Sequence, residues 1–169
     1  SASDNALLTT ASTDGRLVIG LGNKNVLEVG IRLDHTWGVP VLPGSALKGL
    51  ASRTAHLDAG PGWNRPDSAS AGETGRYQSY LFGTTENAGA IIFHDAWWDP
   101  ESKVGPLELD VMTVHHKDYY QSGGLPPSDM DSPTPIAFVT TSGTFLIALE
   151  CRHGVDPSWL RTALDLIEH

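Results

Sequence analysis

The sequence predicts an α+β fold: a modified ferredoxin-like domain in which an antiparallel sheet carries two helices and lacks its final strand. Short apolar or alternating runs bounded by glycine, proline and asparagine are typical of strands. Two segments, after Ser45 and after Asp156, repeat apolar residues at helical spacing. In coarse order these elements read β, α, β, β, α with extra strands inserted, whereas a complete ferredoxin-like domain reads βαββαβ.

Near the N-terminus, Ala6–Ser12 and Arg16–Leu21 read as two short strands. The turn-forming residues Thr13-Asp14-Gly15 between them favour a hairpin. Val26–Leu33 alternates apolar and polar residues, as a half-buried strand or an extended arm does. Without a final strand, Arg16–Leu21 would expose unpaired N–H and C=O groups, which proteins rarely leave bare. We therefore predict that this edge is covered, by Ala6–Ser12 folding back as a hairpin or by a strand from another copy or a partner.

The first helix is predicted to follow Pro43-Gly44, with Ser45 as its N-cap, and to end near Asp58. Its apolar arc consists of Leu47, Leu50, Ala51, Thr54 and Leu57. The opposite, polar arc consists of Lys48, Ser52, Arg53 and His56.

The chain is expected to form a single domain, residues 1–169, with two insertions after the first helix. Residues 60–76 are rich in glycine, proline and serine and are predicted to be flexible, and residues 113–135 are predicted to be a long loop or an inserted hairpin. A helical turn is predicted at Tyr77–Phe82, and the last helix is predicted to have Asp156 as N-cap and Pro157 in its first position. Strands are predicted at 89–96, 106–112, 136–141 and 144–151, the last two forming a hairpin around Ser142-Gly143.

Composition and charge narrow the classes of function. The 169 residues can bury one substantial core, and no apolar run approaches membrane-spanning length, so no membrane partner is expected. The single cysteine, Cys151, excludes an internal disulfide and indicates a reduced, cytoplasmic setting. The formal net charge of −9 argues against a free-standing nucleic-acid binder, since such proteins usually show a basic face. Any RNA contact would therefore use a local basic strip, with help from neighbouring proteins.

A candidate phosphate site lies in the segment Pro43-Gly44-Ser45-Ala46-Leu47-Lys48-Gly49. The free N–H groups and the positive end of the dipole at a helix N-terminus attract phosphate, and Lys48 adds a full positive charge in the predicted first turn. Gly44 and Gly49 would let another backbone approach closely. The order of residues does not match a Walker loop, so nucleotide hydrolysis is not predicted.

This segment closely resembles the Pro-Gly-Ser-Ser-Leu-Lys-Gly signature of the repeat-associated mysterious proteins, the RAMP superfamily. The segments Gly20-Leu21-Gly22 through Glu28, Leu81-Phe82-Gly83 and Gly89–Ala96 resemble the first strand and arm, the Phe-Gly turn and the second strand of that family. The segments Leu109–Tyr120 and Pro133–Phe138 are similar to a narrower family, subunit six of the type III-B (Cmr) effector complexes of CRISPR systems.

The resemblance implies a ferredoxin-like (RRM-like) RAMP domain that binds guide RNA (crRNA) as a structural backbone subunit, near the guide's 3′ part and capping the filament. It implies crRNA, target RNA and other Cmr-type RAMP subunits as partners, and no catalytic residue, metal or cofactor. The expected RNA-binding residues are Gly44, Ser45, Lys48, Ser52, Arg53, His56, His115, His116, Lys117 and Tyr119. Family members continue after the last helix into a Gly-rich loop and a final strand, both of which are expected to be missing here.

Two alternatives remain open. A metal-dependent ribonuclease could use Asp34, where catalytic relatives carry an aspartate, or the polar group Asp110, His115, His116 and Asp118. Against these, Asp34 suits a turn, and adjacent histidines on an extended segment point apart. A protein-only adaptor that has lost RNA binding would suit the acidic charge.

Overall fold

The protein is described from a computed structural model that covers residues 5–20, 31–64, 75–114 and 134–168. The chain divides into two compact units. Unit 1 comprises Ser1–Ser12, Val41–Ser102 and Thr144–His169, and unit 2 comprises Thr13–Pro40 and Lys103–Gly143. A single domain over residues 1–169 stays a prediction.

The described secondary structure is α+β, as predicted. The strands, in chain order, are β1 (Ala6–Ser12), β2 (Val41–Leu42), β3 (Ile91–Phe93), β4 (Ala96–Trp98), β5 (Glu108–Val114), β6 (Thr134–Thr140) and β7 (Thr144–Cys151). The helices are α1 (Gly44–Asp58), α2 (Arg76–Phe82) and α3 (Ser158–Glu168), with a short 3-10 helix at Pro61–Trp63.

Unit 1 is an antiparallel sheet centred on β7, in the order β1-β7-β4-β2, with β3 also pairing with β7. Alternate residues of β7 are buried because strand side chains point to opposite faces in turn. That buried face packs with α1 and α3 in one hydrophobic core, formed by Phe145, Ile147, Leu149 and Cys151 of β7, Leu47, Ala51 and Ala55 of α1, and Leu160, Ala163 and Leu164 of α3. The sequence β1, α1, β3–β4, β7, α3 is the predicted βαββα order.

The strand predicted at residues 89–96 is two short strands, β3 and β4, that follow the same edge of β7. Phe93 pairs with Leu149 and Trp97 with Leu146, so the three residues 94–96 oppose the two residues 147–148. One extra residue on one strand is a β-bulge, which bends the strand and redirects a side chain. The bulge turns the chain at His94 and Asp95, next to the start of α1.

Two predicted hairpins are wrong. Ala6–Ser12 is a strand with the predicted bounds, but it pairs with β7 and not with Arg16–Leu21. In the described part of Arg16–Leu21, Leu17 forms an isolated bridge with Thr141. Ala6–Ser12 therefore takes the first-strand position itself, since Leu7 and Ala11 pack against the core. Pairing of a sheet edge with a partner's strand stays a prediction.

The hairpin predicted around Ser142-Gly143 also fails, because its two strands belong to different sheets. In unit 2, β6 pairs antiparallel with β5, in register from Glu108 with Thr140 to Val114 with Thr134. The two ends of the second insertion belong to this pairing, with Thr113 opposite Pro135 and Val114 opposite Thr134. Residues 115–133 lie outside the described part of the chain, so the choice between a long loop and an inserted hairpin stays a prediction.

The remaining predicted segments divide between described and undescribed residues. The predicted helical turn is α2, which Gly83 ends with a φ of 83°. The first insertion holds the 3-10 helix, while its residues 65–74 lie outside the described residues, as do residues 21–30 of the predicted arm. In the part of the chain that is described, no helix is long and apolar enough to cross a membrane.

Candidate nucleic-acid interface

Helix α1 begins two residues earlier than the sequence predicts. Its N-cap is Pro43, whose extended backbone lets its carbonyl accept hydrogen bonds from the N–H groups of Ala46 (2.8 Å) and Leu47 (3.1 Å). The predicted N-cap role of Ser45 is therefore wrong, and Ser45 is the second residue of the helix. Lys48 consequently lies at the fifth helical position, just beyond the first turn.

The start of α1 already has an anion, the carboxylate of Asp95. The N–H of Gly44 donates to Oδ1 of Asp95 at 2.8 Å, and the bulge between β3 and β4 places that side chain there. A carboxylate at a helix N-terminus stabilises the helix through the dipole. It also occupies one of the donors that the sequence assigned to a phosphate, and it adds a negative charge beside that position.

The close approach predicted for Gly44 is made by the protein's own backbone. A Cβ at Gly44 would overlap the carbonyl oxygen of Phe93 and come within 2.9 Å of the carbonyl carbon of His94. Only glycine lets α1 pack this tightly against the bulge. Gly49 does not share this role, since a Cβ there would meet nothing within 4 Å.

The buried side of α1 is narrower than the predicted apolar arc. Gly44, Leu47, Ala51 and Ala55 are buried, while Leu50 and Leu57 are 50% and 58% exposed. The small side chains of Ala51 and Ala55 fill the interface, and the two leucines are left on the surface.

The predicted polar residues of α1 form a row with one exception. Ser45, Lys48, Ser52 and His56 follow at spacings of three and four residues, so they neighbour one another along the helix. Arg53 is exposed but lies off that row. Ser52 is engaged within the protein, because Nε2 of Gln78 donates to its Oγ at 2.6 Å. Lys48 is the member of this row that carries a positive charge throughout the physiological pH range.

The predicted RNA-contacting residues His115, His116, Lys117 and Tyr119 lie outside the described residues, as do Asp118 and Tyr120.

The carboxylates proposed for the ribonuclease alternative are engaged in local structure. Asp34 accepts hydrogen bonds from the N–H groups of Thr36 (2.9 Å) and Trp37 (2.7 Å), the arrangement of a turn residue. In unit 2, Arg16 pairs with Glu108 at 2.9 Å and with Asp110 at 3.1 Å.

These contacts also set the ionisation of Asp110. The N–H of Val111 donates to the Asp110 carboxylate at 2.8 Å. This hydrogen bond is the larger cause of the lowered pKa of the Asp110 carboxyl, and the contact with Arg16 is the next. Within the described ranges, no group of three or more His, Cys, Asp or Glu residues is placed to hold a metal ion.

The sequence reasoning missed a cluster of aromatic residues in unit 1. Trp159 lies 5.2 Å from Tyr80, 6.0 Å from Tyr77 and 6.1 Å from Trp63, measured between ring centroids. The spacing of Tyr77 and Tyr80 on one helical turn was a usable local signal. Their meeting with Trp63 and Trp159 depends on tertiary packing.

Comparison with known proteins identifies the family. A family model of the RAMP superfamily matches residues 10–153. The chain belongs to the RAMP superfamily. Cmr6 of Pyrococcus furiosus, a CRISPR system Cmr subunit, is 29% identical over 81% of this chain and 55% of that protein. The chain thus spans little more than half the length of this curated RAMP relative.

Solved structures support the same fold. The chain matches the crystal structure of Cmr6 from P. furiosus with a TM-score of 0.50 and 28% identity, covering 96% of this chain and 88% of that one. It also matches a chain in the cryo-EM structure of the type III-B Cmr-beta bound to cognate target RNA, with a TM-score of 0.68 and 20% identity, covering 95% and 51%. The predicted RAMP resemblance and the ferredoxin-like fold class are confirmed.

Three of the RAMP-like segments, Pro43–Gly49, Leu81–Gly83 and Gly89–Ala96, lie in unit 1 and pack against one another. The signature glycine, Gly44, contacts Phe93 and Asp95 of the segment that resembles the second strand. The Phe-Gly turn makes a similar contact, since a Cβ at Gly83 would lie 2.5 Å from the backbone nitrogen of Gly89. In this RAMP domain Gly44 and Gly83 serve close backbone packing.

Proposed function

We propose that the chain is a guide-RNA-binding structural backbone subunit of a type III-B-like CRISPR RNA-targeting complex, which caps the filament near the 3′ part of the guide. The observation that carries the proposal is the similarity to Cmr6 across 81% of the chain on a RAMP fold. The proposed partners are crRNA, target RNA and other Cmr-type RAMP subunits. A cytoplasmic location belongs to the same proposal.

The proposed RNA contact is the polar row of α1 together with Arg53; Ser45 and Arg53 are exposed, and Lys48 is half-buried. Because Asp95 binds the N–H of Gly44, the side chains of Lys48 and Arg53 carry the phosphate contact in place of the helix N-terminus. Ser45, at the head of the row, adds a hydroxyl donor. The net charge of −9 opposes RNA at long range, so neighbouring subunits supply the rest of the positive surface.

Substitution of Lys48 tests this surface. Lys48→Ala should weaken binding of a single-stranded guide-like RNA and reduce the slope of log affinity against log salt by about 0.7, the value for one phosphate contact on single strands. The free energy of unfolding should change little, because the half-buried Lys48 is not part of the hydrophobic core. Lys103→Ala, which removes an exposed lysine in unit 2, is the matched control and should leave both quantities unchanged. Equal affinity and slope for Lys48→Ala and wild type would falsify the assignment.

The proposed subunit is not an enzyme. Asp34 accepts two backbone hydrogen bonds in a turn and Asp110 is paired with Arg16, so each carboxylate already has a local structural role. Target RNA paired with guide should stay intact with the chain and a divalent metal. Cleavage that is lost in Asp34→Ala would favour the ribonuclease instead.

A protein-only adaptor is the second candidate, favoured by the exposed Leu50 and Leu57 on α1 and by the acidic charge. It predicts no RNA binding at any salt concentration, and a loss of partner binding in Leu50→Asp.

A further inference from the structure

Unit 1 contains an open aromatic pocket that the RNA surface of α1 does not explain. Its volume is about 240 Å³, and Arg76, Tyr77, Tyr80 and Trp159 line it. The tyrosines are 41% and 44% exposed. A pocket below the 300–1,000 Å³ typical of drug-sized ligands admits a single small planar group better than a long chain.

The rings of the pocket present separate faces. Tyr77 and Tyr80 lie one turn apart on α2, and their planes are tilted by 40° and 52° to that of Trp159. Trp159 is held in place because Trp63 packs against its edge at 64° and both tryptophans contact the core. Trp159 is therefore held rigidly at the base of the pocket, and the half-exposed tyrosine rings at its sides are accessible for stacking by a planar ligand.

Arg76 gives the pocket a positive rim. Its guanidinium lies 5.7 Å from the ring centroid of Tyr77, and its side chain is exposed. Within the described residues it forms no ion pair with a carboxylate. A ligand that combines an aromatic body with a negative charge would use both the rings and this cation. A proline-rich peptide would use the rings alone, and a quaternary ammonium would be repelled by Arg76.

We propose that this pocket binds one unpaired RNA nucleotide, whose base stacks on the half-exposed ring of Tyr80 beside Trp159 while Arg76 contacts its phosphate. Base stacking on aromatic side chains is tolerant of sequence, since every base has a π-face. The pocket would thus hold single-stranded RNA at a fixed point without reading its sequence. The inference rests on the proposed RNA-binding function and adds a second contact to it.

The test compares two RNAs of equal length: a fluorescently labelled oligouridylate, and the same ribose-phosphate chain without bases. Tyr80→Ala should weaken binding of the oligouridylate by about 5- to 160-fold, the range for loss of one stacked base. Binding of the chain without bases should be unchanged. Tyr80→Phe retains the ring and should bind like wild type, and Trp37→Ala, which removes a 74% exposed tryptophan in unit 2, controls for loss of any surface aromatic residue.

The outcomes separate this inference from the proposed function. If wild type binds the oligouridylate and Tyr80→Ala, with an unchanged melting temperature, binds it equally well, the pocket assignment is wrong and RNA binding stands. A loss in Tyr80→Phe equal to that in Tyr80→Ala also overturns stacking, because the ring is still present. If wild type binds neither RNA, the proposed function fails and the pocket assignment fails with it. Photo-crosslinks from 5-iodouridine to Tyr80 or Trp159 would support the assignment directly.

Discussion

At the scale of single residues, the most constrained position of the RAMP signature is Gly44. Its missing side chain lets α1 approach the carbonyl of Phe93, and its N–H is bound by Asp95. These contacts connect the signature to the bulge between β3 and β4. The motif therefore has a structural reason to carry glycine that is independent of RNA.

Two alanine substitutions in the same helix should have opposite effects on stability. Gly44→Ala forces a Cβ onto the Phe93 carbonyl, and overpacking of this kind costs about 1–3 kcal/mol. Gly49→Ala meets nothing within 4 Å and should stabilise the protein by about 0.5–1 kcal/mol, since alanine loses less entropy in a helix than glycine. Urea unfolding measures both values. A destabilised Gly49→Ala, or an unaffected Gly44→Ala, would contradict this account of the motif.

At the scale of elements, α3 shows how a local signal defines a helix start. Asp156 caps it as predicted: Oδ1 of Asp156 accepts the N–H of Ser158 at 2.9 Å, and the carbonyl of Asp156 accepts the N–H of Trp159 at 3.2 Å. The apolar stripe then buries Leu160, Ala163 and Leu164. This start also positions Trp159 in the aromatic pocket.

The cap makes stability depend on pH in a defined direction. The hydrogen bond from the backbone N–H of Ser158 lowers the pKa of the Asp156 carboxyl below its usual value. A lowered carboxyl pKa adds stability above the unfolded-state pKa of about 3.9, and this stability is lost as pH falls through the folded-state value.

Asp156→Ala should therefore lower the urea midpoint near neutral pH. Its difference from wild type should shrink as pH falls through the lowered pKa of Asp156, because the carboxyl is then protonated in both the folded and the unfolded state. Asp156→Asn keeps a capping oxygen, so it should retain most of the stability and lose the pH dependence. An Asp156→Ala deficit that is constant across this pH range would show that the carboxylate does not act through its charge.

At the scale of the whole molecule, the single cysteine reports on the unfolding of unit 1. Cys151 ends β7 and is 4% exposed within the core. Burial raises the pKa of the Cys151 thiol, and the negative charge of Asp156 raises it further by a smaller amount. Both burial and a smaller thiolate fraction slow its reaction with alkylating reagents.

Iodoacetamide should accordingly label Cys151 much more slowly in native buffer than in urea, and the rate should rise along the unfolding transition. Glutathione under the same conditions controls for the effect of urea on the reagent. Mass spectrometry gives the labelled fraction directly, because the chain has one cysteine. Rapid labelling of the folded protein would mean that the β7 end of the sheet opens without global unfolding.

The sequence alone determined the features that depend on neighbouring residues: the bounds of β1, the cap of α3, the end of α1 near Asp58, and the alignment of Lys48, Ser52 and His56 from the predicted polar arc of α1. Helical spacing and capping act within a few residues, so a local pattern is enough to predict them.

Only the tertiary structure decided which strands pair, where α1 begins, and which side chain contacts the first residue of α1. β1 pairs with β7, more than a hundred residues away, because that pairing buries the apolar face of both strands, and the same packing brings Asp95 to Gly44 and Trp159 to Tyr80. Such contacts gain their free energy from burial between distant segments, and no local pattern in either segment records which partner it will meet.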